Sequence, residues 1–217
     1  MSIEGNQPRM LPLPLTPMKV EPVSLEGQYI RLEPLSMDHY AGLCEVLLDE
    51  EISHWLPSPV DTPEALHHFI ELAIKLQAEG ITLPFATIYK PENRVVGTSR
   101  FLSIDNVNHH VEIGATLVGK LWQRTVVNTE AKYLMLRHGF ETLGCLRVEF
   151  KTDSLNTKSR NALARLGATQ EGIFRNHIIC SNGRIRHSVY FSITDEEWPT
   201  VKVNLEEKLA QPFTPQT

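Results

Sequence analysis

The chain has 217 residues, 41% apolar and 22% charged, which fits one large globular domain and excludes a disordered chain. Its 21 Lys and Arg against 26 Asp and Glu give a net charge of −5, a poor balance for a general nucleic-acid binder, because phosphate contacts need clustered cations. No run reaches the roughly 18 apolar residues of a membrane span, no basic-then-apolar leader opens the chain, and three scattered cysteines (Cys44, Cys145, Cys180) suit reduced thiols in the cytoplasm.

In chain order, residues 1–23 read as a proline-rich arm, with five of the 14 prolines in its first 22 positions. Pro12 and Pro14 favour extended geometry, and the pattern leaves open whether the arm is disordered or lies on the body. Residues 24–210 read as one domain and 211–217 as a tail. Tyr29 to Leu32 is a short strand, and Ser36 caps a helix to about Leu48. Thr62-Pro63-Glu64 starts a second helix, with a capping hydroxyl, proline at the first position and an acid in the first turn. That helix ends at Gly80. Pro84 to Tyr89 and Val95 to Ser103 form a hairpin, and His109 to Leu117 is a further strand. In that strand Val111, Ile113, Ala115 and Leu117 share one face, with Glu112, Gly114 and Thr116 on the other.

From Val127 to Leu143 apolar residues cover most of the helix circumference. This predicts a buried helix stopped at Gly144, with Lys132, Arg137 and Glu141 facing outward. Arg147 to Thr152 is a strand, and Asn156 to Leu166 is a helix closed by Gly167. Two strands follow, about Gln170 to Arg175 and Arg186 to Ile193, around the turn Ser181-Asn182-Gly183. Thr194-Asp195-Glu196-Glu197 is a capping box opening a last helix. The hairpins exclude a purely parallel sheet. The order predicts an α/β chain with a single mixed, mostly antiparallel sheet and helices on both faces.

Three features together resemble the GNAT acyl-CoA N-acyltransferases, and within them the group typified by the RimJ/RimL ribosomal-protein N-terminal acetyltransferases. They are the Glu112-Ile113-Gly114 strand with a loop ending Thr129-Glu130-Ala131, the Asn156-x-x-Ser159 helix start with Leu166-Gly167 near its end, and a late strand pair before Glu196-Glu197-Trp198. The likeness spans about residues 25–198. It implies a GNAT fold and acetyl transfer from acetyl-CoA to a primary amine, by direct attack in a ternary complex. The implied acceptor is a protein or peptide N-terminus. A small amine such as an aminoglycoside or amino-acid derivative is the alternative, as is a degenerate domain with a non-catalytic binding role.

The resemblance also assigns residues. Gln123, Arg124, Thr125, Val126, Val127, Asn128 and Thr129 lie where the family holds the pyrophosphate of CoA, on a helix N-terminus that offers free N–H groups. Val126 and Asn128 replace small residues there. Leu117 and Val118 would hold the pantetheine arm and supply an oxyanion donor, with Asn156, Ser159 and Arg160 also near the cofactor. Glu112 is the expected proton acceptor. The family's tyrosine acid is replaced by Leu163, which leaves Ser159 or water. Trp55 is expected on the acceptor side, or as a core anchor. The pairs His67-His68 and His109-His110 point apart and make poor chelates, so no metal is expected. No nucleic acid or membrane partner is expected, and a monomer or homodimer is expected, as relatives are often one or the other.

Overall fold

A computed structural model describes residues 9–211; the first eight residues of the arm and residues 212–217 of the tail lie outside the described residues. Eight strands form one sheet in the order β1-β2-β3-β4-β5-β6-β8-β7. They are β1 (Leu25–Glu26), β2 (Ile30–Pro34), β3 (Leu83–Tyr89), β4 (Arg94–Asp105), β5 (His110–Val118), β6 (Arg147–Asp153), β7 (Thr169–Ile179) and β8 (Ile185–Thr194). Among the described residues only β5 and β6 pair in parallel; every other neighbouring pair is antiparallel. The mixed, mostly antiparallel α/β architecture expected from the sequence is therefore the one observed.

Helices cover both faces. The expected helix from Ser36 is divided. Ser36 caps a short 3₁₀ turn, Met37–His39, which feeds α1 (Tyr40–Leu47). A four-residue α2 (Glu50–Ser53) follows, capped by Asp49. The α3 helix (Pro63–Ala78) starts as expected, with Thr62 Oγ1 accepting from Ala65 N at 3.2 Å. α1 and α3 enclose a core of Leu43, Leu47, Leu66, Ile70 and Ala73 against Ala86, Ile88 and Leu117. On the other face, α4 (Val126–Arg137) and α6 (Trp198–Leu209) pack on Ile30, Phe85, Phe101, Val111, Ile113 and Phe150. The α5 helix (Thr157–Leu166) belongs to the same core through Leu163 and Leu166 and ends at Gly167, φ 99°.

Three local expectations are corrected. α4 passes at His138 into a wider π turn, His138–Thr142, before Gly144. Lys132, expected outward, is buried at 7% exposure, because α4 is covered all round and leaves few outward positions. The final helix begins at Trp198 rather than Thr194. Glu197 Oε2 does accept from Thr194 N at 2.8 Å, but this closes a turn ahead of the helix.

The arm's described part lies on the body. Arg9 donates to Asp195 at 2.6 Å and Met18 is buried in the α4 core, 3.6 Å from Cys145 Sγ. Glu130, in the Thr-Glu-Ala segment, has a structural task. Its carboxylate accepts from Gln28, Tyr29 and Ile30 N–H at 2.6, 2.8 and 2.8 Å and fastens the β1–β2 turn to α4.

Candidate active site

The site begins where the parallel pair parts. β5 and β6 are paired at His110–Arg147, Val111–Val148 and Glu112–Glu149 only. Beyond Glu112 the strands separate, and each leads to a helix N-terminus: β5 to α4, β6 to α5. The link between Gln123 Oε1 and the ammonium of Lys158 shows that these two helix starts are neighbours. The opening therefore lies between two strands and is flanked by two sets of first-turn N–H groups, the kind of place that favours an anion.

The β5 alternation expected from the sequence stops at a bulge. Ala115 has φ 47°, and the pairing with β4 slips between Thr98 and Arg100. One extra residue reverses the faces. Val111 and Ile113 enter the α4 core, whereas Leu117 enters the α1–α3 core. Leu117 thus shares no face with Val111 and Ile113. Thr116 turns towards α4, where Lys132 Nζ donates to its Oγ1 at 2.6 Å and to Ser99 Oγ at 3.3 Å. Burial alone pushes the Lys132 amine down to about 7.

The stretch from Gln123 to Thr129 that leads into α4 contains no glycine. The left-handed conformation falls on Arg124, φ 62°, and α4 is already right-handed from Val126 onward. Neither Val126 nor Asn128 needs the positive φ that would favour glycine. Thr125 caps the helix, accepting from Val127 N at 3.2 Å and donating to Trp122 O at 2.7 Å. Val127 is turned fully into the core; Val126, Asn128 and Thr129 are half-buried in the opening turns. Gln123 Nε2 donates to Val118 O at 2.9 Å, tying the end of β5 to this loop. Across the opening, Asn156 Oδ1 accepts from Ser159 N at 2.9 Å and caps α5. Arg160 donates to Ser154 O at 3.2 Å, while its Nε is buried without a partner. The two neighbouring helix starts thus present first-turn N–H groups beside the strand gap, an arrangement suited to an anion.

Glu112 stands at the apex, on the face opposite α4, and is 4% exposed. Its Oε2 accepts from Lys151 Nζ at 3.1 Å. Its Oε1 has no donor among the described residues and points over Gly114, where a Cβ would lie 2.9 Å from it. Around this pair are Tyr190 and His177, with ring centroids 5.7 Å apart. Burial, then the nearby Lys151 and Arg186 cations, lower His177 below the usual imidazole range.

Trp55 is half-buried and belongs to a wall beside this cluster. With His54, Leu56, Leu155, Cys180 and Arg184 it lines a cavity of about 260 Å³. Asp153, whose side chain is fully buried, holds that wall. It accepts from Arg184 at 2.7 Å, and Arg184 lies 5.8 Å from the Trp55 ring. Arg186 donates to the Trp55 carbonyl at 3.3 Å. Sequence reasoning missed Lys151, Asp153, Arg184 and Arg186 as a group. Lys151 and Asp153 alternate within β6, Arg186 lies in β8 and Arg184 just before it, and such a pattern says nothing about which strands are neighbours. It also missed Arg100 on β4, which is 5% exposed and stacked on the Phe69 ring at 4.0 Å. Among the described residues no group of three His, Cys, Asp or Glu could hold a metal ion, and no helix is long and apolar enough to cross a membrane.

Comparison with known proteins gives a consistent likeness. The Acetyltransferase (GNAT) domain family matches residues 30–169. A GCN5-related N-acetyltransferase from Brucella melitensis has 35% identity, with 90% of each chain covered and a TM-score of 0.83. The "Uncharacterized N-acetyltransferase p20" of Bacillus licheniformis is 27% identical over 176 residues, 81% of this chain and 98% of that one. Mycobacterium smegmatis RimJ, solved in complex with CoA-disulfide, shares the fold at 21% identity, covering 82% of this chain and 88% of its own, with a TM-score of 0.71.

Proposed function

Because this chain belongs to the GNAT acetyltransferase family and is an N-acetyltransferase, we propose that it acetylates the α-amine of a protein or peptide N-terminus, with acetyl-CoA as donor. The observation that supports it is the state of Glu112. One oxygen is held by Lys151 and the other lies over Gly114 with no donor among the described residues. Attack on a thioester needs a neutral amine, and an α-amine (about 7.7–8.0) gives up its proton more readily than lysine (about 10.4). Glu112 Oε1 takes that proton, directly or through water.

Acetyl-CoA supplies the acetyl thioester. The α4 start (Gln123 to Thr129) holds its pyrophosphate, with Asn156, Ser159 and Arg160 on the opposite bank. Backbone at Leu117 and Val118, turned by the Ala115 bulge, orients the thioester and offers an N–H to the developing oxyanion. The absence of a tyrosine at Leu163 leaves departure of the thiolate to Ser159 or water. Trp55 forms part of the acceptor wall. Likeness to RimJ supports the RimJ/RimL-type reading, and three free thiols among the described residues support a reducing, cytoplasmic setting. Both cores share one sheet, which supports residues 24–210 as a single catalytic domain.

Glu112→Gln tests the assignment. Turnover on peptide amines falls by about 10²-fold or more, while the rise in melting temperature produced by acetyl-CoA persists. Unchanged turnover removes Glu112 as the base, and no thermal shift in the wild type at millimolar acetyl-CoA removes the cofactor reading.

A further inference from the structure

Arg100 is a cation buried without a counter-charge. It is 5% exposed, its Nε and Nη2 are sealed from solvent, and no hydrogen bond or ion pair reaches the guanidinium among the described residues. Its contact with Phe69 orients the group but supplies no acceptor. An unpaired charge in the interior is costly, so natural structures seldom leave one without an acceptor in at least one working state.

Its neighbours place it in the site. On the β4–β5 ladder Arg100 stands opposite Gly114, and Leu102 stands opposite Glu112. A Cβ on Gly114 would meet Glu112 Oε1 and Leu102 Cδ1, each at 2.9 Å. Glu112, Gly114 and Leu102 therefore share one face. Arg100, two residues from Leu102 on the same strand, shares it too. Arg100 and Glu112 are then diagonal neighbours, a relation that sets positions about 7–8 Å apart. The residue between them has no side chain. An acidic oxygen that lacks a donor and a guanidinium that lacks an acceptor thus lie on the same face of the sheet, on either side of Gly114.

We propose that Arg100 reads a carboxylate on the acceptor, so that the amine acetylated here has a carboxylate a few bonds away. This rests on Glu112 as the proton acceptor. With the amine nitrogen at Glu112 Oε1, the carboxylate reaches Arg100 across Gly114. Two sources share this chemistry: a free α-amino acid and an acidic first residue of a peptide. A planar guanidinium pairs with a carboxylate through two parallel hydrogen bonds, which an amide cannot reproduce.

Three acceptors separate the cases: a glutamyl tripeptide amide, its glutaminyl isostere, and free glutamate. With acetyl-CoA saturating, the wild type favours an acidic acceptor over the glutaminyl peptide by about tenfold or more in kcat/KM. Whether the glutamyl peptide or free glutamate leads identifies the source. Arg100→Gln removes most of that ratio, chiefly through KM, and Arg100→Lys restores part of it. A second readout does not need turnover. Calorimetry should give the N-acetylated acid product an affinity about tenfold above its amide in the wild type, a ratio lost in Arg100→Gln and kept in Glu112→Gln. Equal binding of acid and amide by the wild type overturns the proposal. So does Arg100→Gln weakening both alike, which is the outcome of a merely structural arginine. If Glu112→Gln leaves turnover intact, the base is wrong, and the binding ratio still decides Arg100 by itself.

Discussion

Lys132 Nζ lies in the core between the hydroxyls of Ser99 and Thr116, which bond each other at 2.8 Å. The unfolded chain keeps the lysine proton up to about 10.4, whereas burial lowers the folded value to about 7. Between those values unfolding takes up a proton, so stability rises with pH across that window. Below it the full cost of the buried ammonium is present. Lys132→Met abolishes this slope. The stability difference between variant and wild type, from urea unfolding, should shift by roughly 3–5 kcal/mol between pH 6.5 and pH 10. A flat difference would show that the amine keeps its charge in the fold. Spacing along a helix cannot reveal such a residue, because its two partners come from β4 and β5, and a lysine among apolar neighbours reads by default as a solvated position.

At the scale of elements, the bulge in β5 does most to shape the site. It turns Leu117 to one core and Thr116 to the other, and lets Lys132 brace the far side. Gly97 permits the close approach of β4 at this point, since a Cβ there would lie 2.4 Å from the Leu117 carbonyl oxygen, a backbone atom that cannot swing away. Gly97→Ala is expected to destabilise by about 1–3 kcal/mol and to raise KM for acetyl-CoA, because the strand end near Leu117 and Val118 must move. Thermal melts and acetyl-CoA titrations measure the two effects separately, and an unaltered KM would detach the bulge from cofactor binding. The helix starts were well marked in the sequence. Thr62-Pro63 and Asn156 cap as expected, because a capping hydroxyl or amide acts within three residues of its own position. Thr194 misled for a related reason: its partner Glu197 does bond back to it, but the backbone between them closes a separate turn.

For the whole molecule, the described part of the proline-rich arm belongs to the body. Met18 fills part of the α4 core at 7% exposure, whereas Arg9 makes a surface pair with Asp195. Met18→Ala should cost about 2–3 kcal/mol, and Arg9→Ala should leave the melting temperature unchanged, since exposed ion pairs contribute little. Equal effects of the two substitutions would contradict this division. The arm's role is invisible in its sequence because its partners, Cys145 among them, lie more than a hundred residues away.

The sequence by itself determined the mixed α/β class, most of the helix starts, and the family likeness that points to Glu112, Gln123 to Thr129, Asn156 and Ser159. These are properties of short segments, written in hydrophobic period, capping residues and motif spacing. The tertiary structure decided which charges meet. Glu112 with Lys151, Asp153 with Arg184, and Arg100 with nothing but Phe69 among the described residues depend on strand order and register. One residue of slip at Ala115 is enough to change which face a side chain occupies, and no local pattern records that slip.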